Sequence, residues 1–166
     1  MSRNAGKILK EGMIGGLIAY FSVVVVFALL NAFHGHSIFY TTAAMGTFLF
    51  YGGAAGGPVT VSAGPVLAYN GVHMLGSILV AVVAAIPIYE SELHRSFWYF
   101  ALMIWIAATI YTITVLGVFG VEIGRVLDWT TVVIGTAVWI ASMTAYFWWA
   151  HRSLVRKMRN DVEAEA

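Results

Sequence analysis

A chain of 166 residues that is 60% hydrophobic and 10% charged, with a net charge of +1, lies far from soluble proteins, in which about a quarter of residues are charged. Its mean hydropathy of +0.83 excludes a soluble fold. The absence of cysteine excludes disulfides, thiolate metal sites, thiol catalysis and covalent c-type haem, and no extended basic face offers itself to nucleic acid.

The apolar segments read as an all-α integral membrane protein, one polytopic domain over residues 1–166 built as a four-transmembrane-helix bundle, with the lipid bilayer as its first partner. Span one covers residues 13–33, and about 21 residues at ~1.5 Å rise match a hydrocarbon core of ~30 Å. Residues 1–11 resemble a charged leader, but the apolar run after them is of span length and shows no small-residue cleavage site. They therefore read as the entry to a retained helix. The valines at 23–26 are β-branched, yet unpaired strand backbone in lipid costs more than any difference in propensity, so helix wins. Gly12, Gly15 and Gly16 form a small-residue patch suited to close helix contact.

An apolar piece at 38–51 follows, closed by Gly52, Gly53, Gly56, Gly57 and Pro58. About 14 helical residues reach only ~21 Å, short of a crossing. The piece reads as a short interfacial or re-entrant helix on the outer side; counted as a fifth span, it would carry the C-terminal basic cluster outside. Span two covers 65–89, with Pro65 in its first turn and Pro87 marking an end or a kink in its last. Span three, 97–119, follows the N-cap candidate Ser96, and span four, 129–149, follows Asp128. A short tail, 150–166, completes the chain. Trp98, Trp129, Trp148 and Trp149 then fall at the membrane interfaces.

Threaded in this way, eight of the nine Lys and Arg residues (Arg3, Lys7, Lys10, Arg95, Arg152, Arg156, Lys157 and Arg159) share one side, and only Arg125 lies opposite. Basic flanks are retained on the cytoplasmic side during insertion, which places both termini inside.

His73 is the one strongly titratable side chain set well within a span, about 12 Å along the helix from Pro65. Tyr69, Asn70 and Ser77 are its helical neighbours at i−4, i−3 and i+4. An ionisable group in a membrane is costly and points to a ligand or proton site; the competing reading is a neutral imidazole tied to Asn70 or to a threonine of span three. His34 and His36 flank Gly35, and a glycine-bent segment lets two imidazoles meet. With His73, and Met45 or Met74, they form a candidate copper or zinc set. Haem needs two axial ligands at matching depth, and His34, His36, His94 and His151 all lie nearer span ends than His73 does. Glu122, Arg125 and Asp128, at three-residue spacing, read as a solvated helix entry or as a partner-docking cluster. Glu90, Glu92, His94 and Arg95 read as a polar turn.

No phosphate loop, nucleophile elbow, zincin motif or paired intramembrane carboxylates occur. Two functions remain in view. The first is a small non-catalytic subunit or accessory protein of a larger membrane complex, possessing no cofactor and associating with other membrane subunits or with itself. The second is a membrane protein that binds or transports a metal, a cofactor or a quinone-like ligand at the polar site around His73.

Overall fold

The computed structural model describes residues 2–53, 58–93, 102, 105, 109 and 125–152. The expected third span at 97–119, apart from Leu102, Trp105 and Thr109, lies outside these residues, as do His94, Arg95, Ser96, Glu122 and the tail from 153 onward. Among the described residues there are four helices and no strand: α1 (Ser2–Phe33), α2 (Tyr40–Phe50), α3 (Ala63–Leu93) and α4 (Trp129–Ala150). Three stretches, Ala5–Phe33, Ala63–Ser91 and Trp129–Ala150, are long and apolar enough to cross a membrane. Large apolar side chains point outward along them, Phe21 at 57% exposure, Leu67 at 69% and Leu79 at 65%. Such a surface is what lipid requires and what water forbids.

The helix ends have local causes. After Phe33 the His36 N–H donates to the Asn31 carbonyl (2.9 Å) and the Gly35 N–H to the Ala32 carbonyl (3.0 Å), with Gly35 at φ +74°. This is a Schellman stop, which uses glycine because a Cβ disfavours the left-handed conformation. At the start of α4 the Asp128 carboxylate accepts from the Thr130 N–H at 3.0 Å, capping the helix as its sequence position suggests. Pro87 does not end its helix: α3 continues through it for six more residues, to Leu93. Below it the Ser91 hydroxyl donates to the Pro87 carbonyl at 2.6 Å.

α1 packs on both α3 and α4 and divides its glycines between them. A Cβ on Gly12 or Gly16 would strike the backbone of Val82 or Ile78 on α3, whereas one on Gly15 would meet Tyr146 at 3.0 Å and Phe147 at 3.3 Å on α4. The register shows α1 antiparallel to each, so α3 and α4 run parallel. Their shared core is Ala19, Ala81, Ala85, Met143 and Phe147, with Trp105 and Trp139 packed against it. Alanines at the centre let backbones approach closely, the way helices gain dispersion energy in lipid, where apolar side chains have no hydrophobic reason to associate.

α2 sits across one end of this bundle. Residues Thr41, Thr42, Ala43, Ala44, Met45 and Gly46 are buried in succession, on every face of the helix. Gly46 lies on the Pro65 carbonyl of α3, and Met45 packs with Leu127 and Val132. Buried Asn31 pins α2 to α1: its Nδ2 donates to the Ile38 carbonyl (3.1 Å) and its Oδ1 accepts from the Thr41 hydroxyl (2.8 Å).

Candidate ligand-binding site

A cavity of 350 Å³ opens between α1, α3 and α4, below α2. This lies within the range of small-molecule pockets, about 300–1,000 Å³. Val23, Phe27, Leu127 and Val132 make much of its wall apolar, and α3 contributes Tyr69, His73, Gly76 and Ser77. Tyr69, His73 and Ser77 recur every four residues, so a regular helix stacks them on one face.

The polar groups of the wall differ in how they are engaged. Ser77 is buried and its Oγ accepts from the Trp139 indole N–H of α4 at 3.0 Å, which leaves its own hydrogen for a second partner. The His73 ring, half-buried, is flanked by Tyr20 and Tyr69, each at 5.6 Å between centroids and at 74° and 38° to it. Among the described residues it makes ring contacts and no hydrogen bond. Gly76 leaves a gap in the wall, since a Cβ there would meet nothing within 4 Å.

Asn70 is placed elsewhere. Its Oδ1 accepts from the Tyr20 hydroxyl of α1 (2.9 Å) and its Nδ2 donates to the Val66 carbonyl (2.8 Å), so it ties α3 to α1 and does not hold His73. The candidate metal set is not brought together either. His34 Nδ1 lies 2.7 Å from the Leu30 carbonyl, and His36 stacks on Tyr40 at 4.3 Å and 13°. Both are exposed at the Schellman stop, while His73 lines the cavity with Met45. Among the described residues no three His, Cys, Asp or Glu side chains converge on one ion, and no second histidine lines the cavity as an axial haem ligand. The described residues therefore bring together neither a metal set nor a pair of axial ligands. Of the docking cluster, Arg125 and Asp128 are exposed and Asp128 serves as the α4 cap; Glu122 lies outside the described residues.

Two polar features went unread in the sequence. Asn31 is one, an amide in an apolar run that could have been marked by its neighbours Leu30 and Ala32. The other is the contact of buried His151 with Glu11, Nε2 to Oε2 at 3.0 Å, which closes the opposite end of the α1–α4 pair across 140 residues. No protein-family model, curated protein or solved structure matches this chain.

Proposed function

We propose that the chain is an integral membrane binding protein, crossing the bilayer four times with both termini in the cytoplasm, that holds a small and largely apolar molecule against His73. The observation that carries this reading is the His73 imidazole, set on a cavity wall within an apolar helix with no hydrogen bond to a described residue. A polar ring left unpaired in a membrane is costly. A carbonyl- or hydroxyl-bearing ligand of the quinone type satisfies it, resting its apolar body on Val23, Phe27 and Val132 and offering its polar edge to His73 and Ser77.

Four crossings are supported by the parallel run of α3 and α4, because a chain that leaves α3 at one end of the bundle must regain the other before α4 begins. Burial of Thr41–Gly46 on all sides supports a re-entrant α2, since a helix too short to span is tolerated at membrane depth where protein covers it. The basic residues support the orientation.

The test uses the protein purified in mild detergent, its extract analysed by absorption and mass spectrometry. Wild type is expected to release a stoichiometric small molecule. His73→Gln and, independently, Gly76→Phe, whose ring enters open space, are expected to lose it and keep wild-type thermal stability. An extract of lipid alone, or a molecule retained by both variants, overturns the proposal.

The subunit reading draws on one feature, the outward ridge of Leu75, Leu79, Val83 and Ile86 on α3, 47% to 65% exposed. Placed at steps of four, four and three residues, it forms a continuous helix-packing surface. Stable co-purification of a second membrane protein, lost on Leu79→Asn, would favour it.

A further inference from the structure

We infer that the groove between the N-terminal half of α1 and the C-terminal half of α4 is a binding site for an anionic phospholipid. It shares no residue with the cavity beside His73 and stands independently of the ligand proposed there.

The groove, 590 Å³, is lined by Ile14 and Ile18 of α1 and by Ser142, Ala145, Tyr146 and Trp149 of α4. Its floor asks for hydrocarbon: the hydroxyl of Ser142 is already turned to the Trp139 carbonyl at 3.1 Å. Both walls then run into cations at the same end. On α1, Lys10, Ile14 and Ile18 follow at four-residue steps with Lys7 three residues before Lys10, which puts all four on one stripe. On α4, Ser142, Ala145 and Trp149 follow at steps of three and four, again one stripe, and Arg152 lies two residues past the helix end.

The 3.0 Å contact between Glu11 and His151 fixes the antiparallel register, so Lys7, Lys10 and Arg152 gather at one mouth of the groove. All three are exposed. The Arg152 guanidinium is held over the Trp149 ring, 5.8 Å from its centroid, within the range of a cation–π contact. Glu11, an acidic neighbour in contact with His151, offsets at most one of these three cations, so the rim stays net positive. An acyl-shaped floor below three cations matches a phosphodiester headgroup carrying a net negative charge; a zwitterionic headgroup supplies the same chain without the charge.

The experiment takes the full-length protein, delipidated in mild detergent, and titrates it with phosphatidylglycerol or phosphatidylcholine of identical acyl chains, reading bound lipid by native mass spectrometry and the thermal midpoint. Wild type is expected to retain phosphatidylglycerol in preference and to be stabilised more by it. Each of Lys7→Gln, Lys10→Gln and Arg152→Gln is expected to weaken phosphatidylglycerol binding about fivefold, the effect of one basic residue near a charged membrane surface, with phosphatidylcholine binding unchanged. Ala145→Phe, at an exposed position in the groove, is expected to expel the lipid with the cations intact. Equal affinity for the two lipids, or a preference that survives the triple Gln variant, overturns the inference.

Discussion

Replacing Gly16 by alanine adds a single methyl group at one of the two closest contacts between α1 and α3. That Cβ would lie 2.7 Å from the Ile78 nitrogen and 2.7 Å from the Ser77 carbonyl oxygen, and closer still to the Ile78 Cα. All are backbone atoms of a hydrogen-bonded helix, which cannot rotate aside as a side chain would. To restore the 3.4 Å at which ordinary contact begins, α3 must withdraw by about 1 Å, the shortfall at the Ile78 Cα. A gap of ~0.5–1 Å forfeits a quarter to a half of each dispersion well, and the Ala19–Ala81–Ala85 core sits on the same interface. Overpacking of this kind costs about 1–3 kcal/mol, against which the better helix propensity of alanine returns about 0.5–1 kcal/mol. Net destabilisation of about 1–2 kcal/mol is expected, read by reversible unfolding in mixed micelles. Gly71→Ala, where a Cβ meets nothing within 4 Å, is the matched control and should be neutral or stabilising. If Gly16→Ala unfolds at the same denaturant as Gly71→Ala, the close approach of α1 and α3 is not what holds this pair together.

Asn31→Ala removes the α1 amide's bonds to the Ile38 carbonyl ahead of α2 and to Thr41 within it, and strips the buried Thr41 hydroxyl of its acceptor, a loss of about 1–3 kcal/mol for a buried group left unpaired. Hydrogen exchange at residues 41–46 should accelerate with α1 unaffected; unchanged exchange would refute the role given to Asn31. Because the chain has no cysteine, single cysteines report topology directly: at the exposed positions Lys7 and Arg152 they should resist an impermeant thiol reagent in intact cells, and at exposed Ser37 and Ser62 they should react. Reaction at Arg152 but not at Lys7 would show an odd number of crossings.

The helices were legible because a membrane leaves the backbone few alternatives, so length and hydropathy alone mark α1, α3 and α4. The stripe of Tyr69, His73 and Ser77 was legible too, through its four-residue spacing. Asn70 was assigned to that stripe because i−3 and i−4 both neighbour His73 on a helix; what separates them is Tyr20, 50 residues away, which draws the Asn70 amide to α1. The glycine patch on α1 was visible as a patch, but its division between two partners depends on where α3 and α4 lie. His34 and His36 were expected to converge if Gly35 bent the chain. Gly35 does take positive φ, but as a helix stop that sends one ring to Leu30 and the other to Tyr40. Of the two outcomes read for Pro87, an end is excluded for a simpler reason: proline removes one N–H and disturbs one turn, whereas ending a helix in lipid exposes several backbone groups at once.

The position of the cavity follows from one stripe of α1. Gly12, Gly16 and Tyr20 recur every four residues and face α3 in turn. At the first two there is no side chain, and the backbones of Val82 and Ile78 come into direct contact. At the third a phenol ring stands between the helices, reaching Asn70 with its hydroxyl and His73 with its edge. The spacing that is closed at the glycines is therefore propped open one turn later, toward the end where α2 lies. On the other side of α1, Phe27 is admitted against Gly135 of α4, its ring carbons 2.6 Å from where a Cβ would stand, and lines the same space. α3 and α4, each fixed to α1, bridge that space through the Trp139–Ser77 hydrogen bond. The change from glycine to tyrosine along α1 thus sets the depth at which the bundle opens, and His73 occupies that depth on α3.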